Sequence, residues 1–176
     1  PFLLPLMLQV AFGFSPLITG LMMIPAVLGS LASKPMIRPI IQRFGYRRVL
    51  LVNTVLVGAC IASLALTTAD TPLWLRTLHF FIFGMLNSMQ FVSMNTLTLK
   101  DLAQADASSG NSFLSMIMML SMSIGVALAG TLVNIFTAYY GSAQISLAFH
   151  HTLICLGCIN IITAYIFWRI PRDTAV

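Results

Sequence analysis

Long apolar runs alternate with short polar separators along this 176-residue chain. A helix needs roughly 20 apolar residues to cross a hydrocarbon core of about 30 Å. On that scale the pattern predicts spans at about 1–12, 17–34, 49–68, 73–97, 111–138 and 146–168. The separators are "GFSP", a basic stretch around Gly45, "ADTP", "KDLAQADASSG" and "YYGSAQ". They are rich in Gly, Pro, Ser and Asp, the residues that break periodic structure. The runs exceed strand length, which argues against a membrane β-barrel. The first run opens at Pro1, already inside an apolar segment, with no charged region before it and no small-residue cleavage site. It reads as a truncated span, its start upstream, and not as a signal peptide. The expectation is therefore an all-α transmembrane protein, a six-helix bundle.

Composition strengthens that reading. Hydrophobic residues make up 59% of the chain and charged residues 7%, and mean hydropathy is +0.95. A soluble domain carries roughly 25% charged residues, so this chain has too little polar surface to cover a globule in water. The net charge of +5 could point to nucleic acid. The basic residues sit between apolar blocks, however, where membrane lipids are the fitting partner and nucleic acid is not. Six spans place Lys34, Arg38, Arg43, Arg47, Arg48, Lys100, Arg169 and Arg172 on one side and Arg76 alone on the other. That asymmetry predicts a cytoplasmic basic side and a cytoplasmic carboxyl terminus.

Catalytic chemistry finds no support. The chain has no H-E-x-x-H, P-loop or G-x-S-x-G pattern, so neither an enzyme nor a cofactor is expected. Cys60, Cys155 and Cys158 lie in apolar runs and read as packing residues. His150 and His151 are adjacent, so they diverge on a helix and lack a third ligand; no metal site is expected.

The basic stretch "RFGYRRVLL" carries more than charge. Gly45 permits a positive φ and hence a sharp turn between two helices. A short, basic, glycine-centred loop between the second and third spans resembles the major facilitator signature G-x-L-a-D-R-x-G-R-[RK]. Arg43 matches its Arg, Gly45 its second Gly and Arg47 a following basic position. Arg38 stands where the first Gly would be, Gln42 replaces the Asp, and Arg48 follows. Longer stretches, "GFSPLITGLMMIPAVLGSLASKPMI", "MNTLTLKDL" and "ASSGNSFLSMIMMLSMSIGVALAG", are similar to the EmrB/QacA-type fourteen-span drug:proton antiporters. The resemblance implies the carboxyl-terminal half of a major facilitator fold, in an inner-membrane exporter driven by protons, with the amino-terminal half missing. With Gln42 in place of Asp, this loop would set topology and helix geometry more than gating.

Substrates of such proteins bind near the midplane, between two halves. The middle of the fourth span carries Asn87 and Gln90, three residues apart and so on one helical face; both are candidates for the small-molecule path. Arg76 and His79 are further candidates. The resemblance places them where the family's other half carries R-x-x-Q-G, although Gly follows only at 84. Arg76 is also near enough to the external end to snorkel. Ser121, Gly125, Ala129 and Gly130 form a small-residue stripe on the fifth span and suggest close helix packing. Met85, Met89, Met94, Met116, Met118, Met119 and Met122 offer adaptable apolar surface to ligand or lipid. The only acids, Asp70, Asp101, Asp106 and Asp173, fall in separators or the tail. Proton coupling is therefore expected through the missing half. Two alternatives stay open: export of small anions or metal chelates, and a non-transporting scaffold or sensor with a degenerate facilitator fold.

Overall fold

The computed structural model describes residues 2–68, 70–100, 107–141 and 144–169. Among them every regular element is helical. A short helix α1 (Leu3–Leu6) runs into a π-helical turn, Met7–Ala11. Four long helices follow: α2 (Pro16–Leu64), α3 (Leu73–Leu99), α4 (Ala107–Tyr140) and α5 (Ile145–Trp168). Ser15 caps α2, its side chain accepting from the Ile18 backbone N–H at 3.4 Å, and Pro16 supplies a first-turn φ suited to a helix.

Among the described residues there are five α-helical elements where six spans were expected, and one of them, α2, is two helices joined across a kink at Gly45. The spans foreseen at 17–34 and 49–68 are the two arms of α2: the basic stretch between them is helical on both sides of Gly45 rather than a loop. Pro25, Pro35 and Pro39 all lie inside it, and only Gly45 leaves helical geometry, at φ 75 and ψ 156. Residues 16–44 at about 1.5 Å per residue reach roughly 43 Å. That matches the roughly 40–45 Å of a bilayer with its headgroups. A helix can thus leave the hydrocarbon and carry Lys34, Arg38 and Arg43 through the headgroup layer without unwinding.

Gly45 reverses the chain. On the first arm of α2 (residues 16–44), Met22 lies at Arg76, Ala26 at Gly84 and Ser30 at Ser88, so this arm runs parallel to α3. On the second arm (residues 46–64), Asn53 meets Gln90 and Ser63 meets His79, so it runs antiparallel to α3. The second arm is also antiparallel to α5, with Gly58 at Gly157 and Arg47 at Trp168. This topology gathers Lys34, Arg38, Arg43, Arg47, Arg48, Lys100 and Arg169 at the Gly45 end and leaves Arg76 at the other.

The core joins Met7, Leu8, Leu64, Phe80, Phe149 and Leu153 across the π-helical turn, α2, α3 and α5. A smaller cluster of Ile37, Ile41, Tyr46 and Val49 braces the Gly45 reversal. By length and hydropathy Pro16–Leu64, Ser108–Tyr140 and Ile145–Trp168 can cross a membrane. Helix α3, expected as a span, is not among these three. It carries Arg76, His79, Asn87 and Gln90, and its neighbours on both sides take up much of that polarity.

Candidate functional site

The polar residues of α3 divide between two neighbours. On one side lies the second arm of α2. There the Asn53 Nδ2 donates to the Leu86 carbonyl and to Gln90 Oε1, both at 2.9 Å. Gln90 Nε2 donates to Thr54 Oγ1 at 2.8 Å, and the Thr54 hydroxyl donates to the Leu50 carbonyl at 2.7 Å. Asn53 and Thr54 are 3% and 2% exposed. In lipid no water can satisfy these groups, so the donors pair across the seam and hold it, while the buried Asn53 Oδ1 has no partner among the described residues. The Asn-Thr pair was readable as two polar positions inside the uncharged run "VLLVNTVLVG", but sequence reasoning missed it.

On the other side lies the first arm of α2. Here the backbones cross at van der Waals contact: a Cβ added at Gly84 would overlap the Ala26 carbonyl, and one at Gly29 the Phe81 carbonyl. Beside this crossing is a cavity of about 550 Å³ whose lining includes Met23, Ser30, Lys34, Asn87, Ser88 and Phe91. The Ser88 hydroxyl donates to the Ser30 carbonyl at 3.2 Å. Asn87 is exposed along this lining. Asn87 and Gln90, expected together, therefore face different arms of α2. The arrangement on the Asn87 side is an apolar cleft with a few hydrogen-bonding groups and one lysine at the basic end. Such a cleft suits a small, largely apolar ligand.

Arg76 and His79 sit away from that cleft. Arg76 is 3% exposed, and its Nη2 donates to the Thr68 carbonyl at 2.7 Å. Its guanidinium lies over the Phe12 ring at 5.6 Å and the Phe14 ring at 5.3 Å. Arg76 thus joins the start of α3 to the end of the second arm and to the segment before α2. His79 Nε2 is 3.0 Å from Ser63 Oγ and 3.2 Å from the Cys60 carbonyl.

At the opposite end, Arg38, Gln42, Arg43 and Arg48 are exposed. Arg43 lies over the Phe44 ring at 5.5 Å and Lys100 over the Tyr46 ring at 5.8 Å. Arg47 Nη2 donates to the Trp168 carbonyl at 2.6 Å, tying the reversal to the last turn of α5.

On α4 the small-residue stripe meets little. Ser121 and Gly125 are exposed, and a Cβ at Gly125 or Gly130 would meet nothing within 4 Å. Only Ala129 is buried. Besides Gly29 and Gly84, the close glycine contact is Gly58 with Gly157, where an added Cβ meets the facing carbonyl at 2.8 and 2.7 Å. Met116, Met119 and Met122 face outward. All three cysteines are free, and no cluster of three metal-ligating side chains occurs among the described residues. Of the acids, Asp70 is exposed in the turn before α3, while Asp101, Asp106 and Asp173 lie outside the described residues.

Residues 1–175 match the family model of the Major Facilitator Superfamily. The chain is similar to proteins named "Putative multidrug resistance protein MdtD". Those of Escherichia coli O6:H1 and Citrobacter koseri are each 48% identical over 179 residues, covering 99% of this chain and 38% of the relative. The Escherichia fergusonii protein has the same identity and coverage, 48%, 99% and 38%. The chain thus spans 38% of the length of these curated relatives. No solved structure matches it significantly.

Proposed function

We propose, because this chain belongs to the major facilitator superfamily, that it forms the carboxyl-terminal half of a secondary transporter. In this reading the whole protein exports small, mainly apolar molecules across the inner membrane in exchange for protons. The observation that carries the reading is the cleft between the first arm of α2 and α3, about 550 Å³ in volume and set beside a glycine crossing. Its apolar lining accepts varied ligands through dispersion contacts, and Met23 adapts its shape to them. Asn87, Ser88 and Ser30 supply the few polar contacts that orient a ligand. The bare backbone crossing at Gly29 and Gly84 lets the two helices slide as the cleft changes access. The name of the relatives supports drugs as the substrate class. Arg76 and His79, the residues that motivated an anion exporter, are held by Thr68, the Phe rings, Ser63 and Cys60 away from the cleft.

In this scheme the basic Gly45 end is cytoplasmic, and the coupled proton rides on a carboxylate outside this chain. A coupling group must gain and lose a proton near neutrality, which burial in the bilayer provides by raising a carboxylate's pKa. Asp70 is exposed and has no such burial. The test uses the full-length protein in proteoliposomes loaded with a fluorescent lipophilic drug. An imposed pH gradient should drive drug movement, and the fourfold change of Asp70, Asp101, Asp106 and Asp173 to Asn should leave that dependence intact. Absence of gradient-driven flux across a panel of apolar drugs overturns the transport reading. Loss of pH dependence with exchange retained in the fourfold variant places the coupling site in this chain instead.

A further inference from the structure

Two cavities meet at the Gly45 end. One, of about 370 Å³, is lined in part by Phe44, Arg47, Arg48, Val52 and Trp168. The other, also about 370 Å³, extends along the second arm past Leu56 to Leu86 and Met89. They share Phe44, Arg48 and Val52, so a basic mouth adjoins an apolar slot. The mouth is built rather than loose: the hydrogen bond from Arg47 to the Trp168 carbonyl fixes one guanidinium at the seam of α2 and α5. That bond uses one of the five N–H groups of the side chain. The second guanidinium, Arg48, is exposed beside it. Phe44 and Trp168 are each about half exposed, as interfacial aromatics are. Every described charged residue at this end is basic.

We propose that this pair of cavities binds one anionic phospholipid. Its phosphodiester sits between Arg47 and Arg48 beside Trp168, and one acyl chain lies in the slot toward Leu56 and Met89. The charge selects an anionic head, and the apolar slot selects a lipid over free phosphate. Basic pockets between helices at a membrane surface recognise anionic headgroups in this way. The site does not depend on the transport reading, since it needs only that this end lie at a membrane interface.

The test uses the full-length protein with Trp168 as its sole tryptophan, in bilayers of phosphatidylcholine containing phosphatidylglycerol. Brominated acyl chains on one lipid or the other quench Trp168 when they occupy the slot. Brominated phosphatidylglycerol should quench Trp168 with several-fold higher apparent affinity than brominated phosphatidylcholine. Arg48→Gln should lower that preference about fivefold, the contribution of one basic residue near an anionic surface, and Arg48→Lys should restore much of it. A parallel protein with Trp74 as sole tryptophan, at the other end of α3, should show no preference. Equal quenching of Trp168 by the two lipids overturns the proposal. So does loss of the preference on adding inorganic phosphate, which assigns the mouth to a free anion. Should the tryptophan-depleted protein fail to insert, mass spectrometry of lipid retained by wild type and Arg48→Gln decides the matter: unchanged phosphatidylglycerol overturns the site.

Discussion

The two faces of α3 differ more than the two ends of the molecule do. Toward the second arm of α2, Gln90, Asn53 and Thr54 close a hydrogen-bonded seam, and the two arm residues are almost fully buried. Toward the first arm, Asn87, Ser88 and Ser30 line an open cleft. Both faces put polar groups near the middle of α3 and both pack against the same element, α2. The difference lies in side-chain pairing across the seam. Where two side chains can answer each other, polarity becomes a fastener. Where a glycine crossing brings the backbones together and the link beside the cleft is a serine–carbonyl bond, polarity is left for a third party. Function is therefore sought on the face that is not closed.

The reversal that puts one arm of α2 on each face of α3 rests on Gly45. Its φ of 75 and ψ of 156 lie in a region that essentially only glycine occupies. Gly45→Val forces a β-branched residue there at a cost of about 1–3 kcal/mol, even though a Cβ at this site would meet no neighbour within 4 Å. The expected outcome is a marked drop in the thermal stability of the detergent-solubilised protein. Arg48→Gln, a change of charge alone, should leave stability near wild type. Equal melting curves for the two variants would detach the two-faced arrangement of α3 from the turn.

A smaller effect probes the closed face. Asn53→Leu removes the donor to Leu86 and Gln90 and leaves the Gln90 amide oxygen without that partner. Interhelical side-chain hydrogen bonds in membranes are worth about 0.6 kcal/mol on average and about 1.7 at most. A loss in that range is expected in a reversible unfolding titration, and Gln90→Leu on top of Asn53→Leu should add little. Full additivity of the two changes would mean that the residues act separately and that the seam is not a unit.

Much of this was legible beforehand, and the exceptions share a cause. The apolar runs located the helices because hydrocarbon thickness sets their length, and Gly45 marked the reversal because few other residues turn a chain that way. The helix through Pro35, Pro39 and the basic residues was not legible, since prolines and charges punctuate soluble helices but continue through a headgroup layer. Asn87 and Gln90 were placed on one face from their spacing of three. Three residues at about 100° each leave two side chains some 60° apart, enough to address different neighbours once two arms flank the helix. On α4, Ser121 and Gly125 show that a backbone could approach, but a stripe of small residues does not say which one will. Of the glycines that do make crossings, Gly84 and Gly157 stand singly in their helices while Gly29 and Gly58 share α2 with Gly20 and Gly45, and only the partner's position reveals them.

The open face should show almost no stability effect and a clear functional one. Asn87 is exposed, and no described residue hydrogen-bonds to its side chain, so Asn87→Leu removes a hydrogen-bonding group without stranding a described partner. Surface substitutions of this kind usually stay within about 0.5 kcal/mol, and unfolding should be unchanged within that margin. Transport should change differently from one substrate to the next. A ligand that uses its own polar group against the Asn87 amide loses that contact, so its flux should fall. A wholly apolar ligand gains apolar lining, so its flux should hold or rise. Gln90→Leu should do the reverse: it should cost stability through the seam and leave the ranking of substrates alone. Measuring drug efflux for a graded series of polar and apolar substrates in both variants separates the faces. If Asn87→Leu scales every substrate by the same factor, or if Gln90→Leu reorders them, the substrate path does not lie between the first arm of α2 and α3.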